Sequence, residues 1–153
     1  MEVGPGTGRN LQKLHVARPH ARLGGIDASN AMLEVARSRC PWASFALGFA
    51  EDADFASLVG APPERILFSY CLSMVQEPEV ALRHARDQLA PGGSIVVIDF
   101  ADLAGLPAPT RRALSGWLGA FHVRPLEPGL LRAFGAEMCF GPGRYWVRAT
   151  IRA

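Results

Sequence analysis

The sequence predicts an α/β domain with a mainly parallel sheet, closed at its end by an antiparallel hairpin. Three observations predict it. Apolar runs of strand length alternate with helical patterns along residues 1–100, the rhythm of a sheet covered on both faces. Three glycines at alternate positions, Gly4, Gly6 and Gly8, follow a short β-prone start and lead into a helical pattern. The last two strand candidates, 133–140 and 144–151, are separated only by Gly141-Pro142-Gly143. A turn that short joins antiparallel strands.

The elements follow in order. Only Met1 to Val3 precede the glycine loop, so the first strand is clipped and no helix comes before it. The expectation is one domain over 1–153, incomplete at its N-terminus. Leu11, Leu14 and Val16 suggest a helix over 9–17, ended by Pro19. A strand over 22–26 stops at Asp27. Ser29 is placed to cap the next helix, 29–39, with Met32, Val35 and Ala36 on one face and Pro41 closing it. A third strand covers 43–47, and Gly48-Phe49-Ala50-Glu51-Asp52 follows it. Residues 65–70 form a fourth strand, where consecutive Ile66, Leu67 and Phe68 suit burial on both faces. A helix over 79–89 turns Val80, Leu82 and Ala85 inward. After Pro91-Gly92-Gly93, residues 94–100 form the strongest strand, with Asp99 at its carboxyl end. A helix over 110–121 carries Arg111 and Arg112 in its first turn, and Leu114, Trp117, Leu118 and Phe121 at helical spacing.

Composition bounds the function. Apolar residues make up 49%, charged residues 20%, and net charge is +2 with no block of like charges. That argues for a globular domain and against purely electrostatic nucleic-acid binding. Cys40, Cys71 and Cys139 lie far apart without a Cys-x-x-Cys pair, and no secretory signal is present. They read as reduced thiols in the cytoplasm. No apolar run reaches the ~18 residues that a membrane span needs. No metal is expected, and no oligomeric state is read.

Ligands of such sheets bind beyond the carboxyl ends of the strands, near the switch in strand order. Gly4 to Gly8, Asp27, Phe49, Ser69, Tyr70 and Asp99 all fall at such ends. A glycine turn between strand and helix aims free N–H groups at an anionic ligand end. Asp27, 19 residues beyond Gly8, suits ribose, since a carboxylate accepts from both hydroxyls. A dinucleotide fingerprint counted from Gly4 needs a last glycine where Arg9 stands, which disfavours NAD.

The run Glu2 to Gly8, with Asp27 and the Leu89 to Ser94 turn, resembles class I S-adenosylmethionine (SAM) methyltransferases across almost the whole chain. The resemblance implies a Rossmann-like fold and SAM as cofactor. It puts Glu2, Gly4, Gly6, Gly8, Asp27, Ala28, Phe49, Ala50 and Ser69 at the cofactor. Phe49 departs from the family's usual acidic position. Either it packs on the adenine while Glu51 or Asp52 accepts from the amino group, or the turn is merely solvated. Phe68 to Met74, Ile98 to Phe100, Gly105 to Pro107 and Trp117 to Pro125 are similar to the BtaB-type N-methyltransferases of betaine-lipid synthesis. That implies a lipid-linked amine such as diacylglyceryl-homoserine as acceptor. Tyr70 would orient the amine or face the sulfonium, and Asp99, Tyr70, His122 or water would take its proton. The helix carrying Trp117 and Phe121 would then touch the inner face of the membrane, or else pack as ordinary core. A small soluble acceptor is the alternative, and a non-catalytic SAM-binding domain a third.

Overall fold

The computed structural model describes residues 1–153. Seven strands form one sheet in the order β3-β2-β1-β4-β5-β7-β6. They are β1 (Glu2–Val3), β2 (Gly24–Asp27), β3 (Ser44–Leu47), β4 (Arg65–Ser69), β5 (Ser94–Phe100), β6 (Glu137–Phe140) and β7 (Trp146–Arg152). The first five run parallel, and β7 lies antiparallel between β5 and β6. This is the Rossmann-like architecture expected, with the terminal hairpin in place. From β1 the chain builds leftward to β3, then returns to lay β4 on the other flank of β1. The switch in strand order therefore sits between β1 and β4.

Strand burial follows side-chain alternation. In β7, Val147, Ala149 and Ile151 are buried and their neighbours are more open. In β4, Ile66 and Phe68 are fully buried while Leu67 is half-covered. These residues pack with Val3, Ile26, Ile95, Val97 and Leu131 into one core. A smaller cluster of Leu103, Leu118 and Val123 sits beyond the carboxyl end of β5.

Six helices cover the sheet: α1 (Arg9–Ala17), α2 (Asn30–Arg39), α3 (Phe55–Val59), α4 (Pro78–Asp87), α5 (Ala108–Gly119) and α6 (Pro128–Ala133). Ser29 caps α2 as expected, its hydroxyl accepting from the Met32 N–H at 3.4 Å. The buried face of α2 is different from the expected one. Leu33, Ala36 and Cys40 are fully buried, whereas Met32 and Val35 are exposed. In α4 the inward residues are Ala81, Leu82 and Ala85, and Val80 turns out. Both helices carry two candidate apolar stripes one position apart. The angle at which each meets the sheet chooses between them.

Four elements were not expected, one of them a 3-10 turn at Pro142–Arg144. Asp54 caps α3 through the Ser57 N–H at 2.9 Å. Leu72–Met74 forms a 3-10 turn after β4. The predicted strand over 133–140 shortens to β6, because an unforeseen α6 runs to Ala133 and Gly135 at φ +69° ends it in the left-handed region before the strand begins. The stripe on α5 divides: Leu118 is buried and Leu114 half-buried, while Trp117 and Phe121 are 56% and 59% exposed. No helix is long and apolar enough to cross a membrane.

Candidate functional site

A cleft of about 1020 Å³ opens at the carboxyl ends of β1 to β4. It is lined by the glycine loop, the end of β2 with Ala28, the turn at Gly48–Asp52, and the segments Ser69–Cys71 and Met74–Glu77. It stands at the switch point, where doubly wound sheets bind ligands.

The loop's glycines divide the labour. Gly4 (φ +64°) hydrogen-bonds the Ile26 carbonyl at 2.8 Å, and a Cβ there would lie 2.6 Å from the Cys71 Cβ. Only glycine lets the loop sit this close to the segment after β4. Gly6 (φ +52°) has open space where a Cβ would stand, so its bare backbone faces the cleft. Its N–H donates to Asp27 Oδ2 at 3.0 Å. Gly8 lies outside the cleft lining. A Cβ there would meet Cys40 Sγ at 3.3 Å and Ala36 at 3.4 Å. Its missing side chain makes room for the contact of α1 with α2.

Asp27 lies on the cleft wall and is already engaged. Oδ2 receives Gly6 and Oδ1 receives the Ser29 N–H at 2.9 Å. Each oxygen accepts one bond, leaving acceptor capacity toward the cleft. Glu2 is 1% exposed. Asn10 Nδ2 donates to its Oε1 at 2.8 Å, while Oε2 is buried with no partner. Burial pushes this carboxyl up to about 7. An orphaned acceptor on a cleft wall is costly unless a ligand donor or a proton meets it. Asn10 was not foreseen as a site residue; its signal is its place in the first turn of α1, reaching back over β1.

Ala28, Phe49, Ala50, Ser69 and Tyr70 all line the cleft. Phe49 is 63% exposed, with its ring free to receive a planar partner. Tyr70 adopts φ +52°, a conformation strained for a residue with a side chain. Met32, Met74, Val75 and Gln76 add an apolar and polar wall that was also missed. Met74 ends the unforeseen 3-10 turn, and Val75 and Gln76 follow it.

Two expected catalytic residues are elsewhere. Asp99 is fully buried and absent from the cleft lining. Its Oδ2 accepts from the Ser73 N–H at 3.0 Å and its Oδ1 from the Phe100 N–H at 2.8 Å. It ties the 3-10 turn to β5, and burial pushes its carboxyl above the usual range. Both of its oxygens are thus engaged by backbone donors within the fold. Asp99→Ala is expected to lower unfolding free energy by about 2–3 kcal/mol, since buried donors lose a charged acceptor; urea denaturation measures this. His122 is exposed beyond α5 at φ +59°, outside the cleft. The left-handed turn that ends α5 carries it away.

Comparison with known proteins adds to this geometry. A family profile described as "Methyltransferase domain" matches residues 1–93. The trans-aconitate 2-methyltransferase of Paracidovorax citrulli is 35% identical over 97 residues, 63% of this chain and 36% of that protein. The chain thus spans little more than a third of that relative's length. The SAM-bound structure of CalS10, an amino pentose methyltransferase from Micromonospora echinaspora, is 26% identical with a TM-score of 0.56. That match covers 63% of this chain and 40% of CalS10. The N-methyltransferase NodS from Bradyrhizobium japonicum, in complex with S-adenosyl-L-homocysteine, covers 99% of this chain and 75% of its own, with a TM-score of 0.70 and 19% identity. This last likeness extends the shared fold through the terminal hairpin.

Proposed function

The chain belongs to the family of methyltransferase domains, and on that premise we propose that it transfers a methyl group from SAM to a small-molecule acceptor. One observation carries the reading: the glycine loop and the ribose-type carboxylate Asp27 are joined by a hydrogen bond on the wall of a cleft at the switch point. The residues present fit SAM. The bare backbone of Gly4 and Gly6 admits its methionine end, and the spare lone pairs of Asp27 suit ribose hydroxyls. The orphaned Glu2 Oε2 suits a cationic group. The Phe49 ring suits a purine face, with Glu51 and Asp52 beside it as acceptors. SAM supplies a methyl on a sulfonium, already a good leaving group.

The protein's part is then positioning, which can supply roughly 7–11 kcal/mol of barrier reduction. Tyr70, at the cleft, orients the acceptor. Burial, with Tyr145 and Asp99 nearby, pushes its phenol above the usual value, so a phenolate base is not available near neutral pH. With Asp99 and His122 both outside the cleft, an acceptor's proton leaves to water.

Calorimetric titration with SAM and S-adenosylhomocysteine tests the reading. Micromolar binding followed by transfer of labelled methyl to a small acceptor supports it. Binding without turnover on any acceptor would favour a non-catalytic domain, and indifference to both nucleosides would end the proposal.

A second reading makes the acceptor an amine attached to a lipid, as the likeness to betaine-lipid enzymes implies. The exposed Trp117 and Phe121, ring centroids 5.1 Å apart, favour it, because an aromatic pair near Arg111 and Arg112 suits a headgroup layer. Liposomes carrying diacylglyceryl-homoserine should then bind the protein and accept label. Labelling of soluble acceptors alone would reject this reading.

A further inference from the structure

We propose that Tyr70, Phe100 and Tyr145 form the acceptor subsite, and that it captures an amine as its ammonium ion, which would give its proton to water so that the freed lone pair could take the methyl as the methyl–sulfur bond breaks and S-adenosylhomocysteine leaves. This rests on the methyl-transfer reading above and names its substrate class.

The three rings stand at one end of three neighbouring strands. Tyr70 follows β4, Phe100 ends β5, and Tyr145 precedes β7, which pairs with β5. The Tyr70 and Phe100 centroids are 5.0 Å apart with planes at 64°. Those of Phe100 and Tyr145 are 5.4 Å apart at 82°. Two tyrosine rings steeply inclined to a phenylalanine on the strand between them make an open aromatic shell. Tyr70 lines the cleft, while Phe100 and Tyr145 extend the shell beyond its lining, and both tyrosines remain partly exposed, at 41% and 36%. The strained backbone of Tyr70 is held by its N–H bond to the Ile98 carbonyl at 2.8 Å. Strain kept at a cleft mouth is commonly functional.

Charge selects the acceptor. Besides Glu2, Asp27, Glu51 and Asp52, which the reading above assigns to SAM, Glu77 lines the cleft, and Arg9 is the one Lys or Arg in that lining. Arg144, the cation next to Tyr145 in the chain, is held by Asp102 in two bonds, of 2.7 and 2.6 Å, and lies 4.3 Å over the Phe140 ring. It has no free fork for a carboxylate ligand. Aromatic faces attract ammonium ions, and a negative cleft concentrates them. A polycarboxylate acceptor, such as the one that the Paracidovorax citrulli relative is named for, meets the opposite field.

The test uses the full chain loaded with S-adenosylhomocysteine and tetramethylammonium as the probe, followed by amide NMR shifts. Saturable shifts are expected at and around Tyr70, Phe100 and Tyr145. Tyr145→Leu should weaken this binding at least about five-fold, and Tyr145→Phe should keep it within about two-fold, because the ring face and not the hydroxyl attracts the ion. S-adenosylhomocysteine affinity should be the same in all three proteins, which verifies that the variants are folded. Unchanged tetramethylammonium binding in Tyr145→Leu would overturn the proposal. So would equal binding of neutral tert-butanol, or citrate shifting the same residues. If S-adenosylhomocysteine binds and the ammonium ion does not, the acceptor assignment alone fails. If neither binds, the methyl-transfer reading fails and takes this one with it.

Discussion

Asp27→Ala should weaken SAM binding by a factor of about 100 or more in calorimetric titration. Two losses combine. The ribose would lose acceptors, and hydrogen bonds to a charged group are worth about 1.5–3 kcal/mol each. The Gly6 and Ser29 N–H groups would also lose the carboxylate that holds the loop against β2. Asp27→Asn separates these effects. Its amide carbonyl can still receive one of the two backbone donors while its other end donates, so an intermediate loss is expected. Unchanged affinity in Asp27→Ala would remove the ribose assignment.

Glu2 should make both stability and binding depend on pH, in opposite senses. Its carboxyl titrates near 7 in the folded chain, raised first by burial, from an ordinary value of 4.5. Between those values the folded state holds a proton that the unfolded state has released. Stability from this group is therefore complete below 4.5 and is lost as pH rises through about 7. The loss approaches about 3 kcal/mol, taking 1.36 kcal/mol per unit. A cation meeting the unpartnered oxygen would favour the ionised form, so SAM affinity should rise with pH over the same window. Glu2→Gln should flatten both profiles, stabilise the free protein at pH 8 and weaken SAM binding there. Comparing it with the parent also separates Glu2 from the Met1 amino group, which burial pushes downward. A parent affinity that stays level from pH 5.5 to 8 would show that Glu2 does not meet the cation.

What could be read from the residues follows from how local each signal is. The α1 bounds, β5 and the Ser29 cap were legible because Pro19, the run Ile95 to Ile98 and the Ser29 hydroxyl act within one element. The faces of α2 and α4 were not, because docking on the sheet decides between adjacent stripes. Asp27 was legible as a strand-end carboxylate beside a glycine loop. Asp99 carried the same signal and yet points into the fold, since the unforeseen 3-10 turn supplies the Ser73 N–H that captures it. Gly8 shares its spacing with Gly4 and Gly6, but only the packed helices reveal that its missing side chain serves α2. Phe100 and Tyr145 gave no signal alone. Their meeting depends on β7 lying beside β5 rather than at the sheet's edge.

Strand β1 lies inside the sheet, at the switch in strand order. Left of it stand β2 and β3, with Asp27; right of it stand β4 and the hairpin, with Ser69 and Tyr70. The two halves meet at β1, directly beneath the cleft. A nucleoside gripped from both sides would act as a rivet across that junction. Occupancy would then raise resistance to unfolding in the flanking strands together, and not only in the loops that touch the ligand.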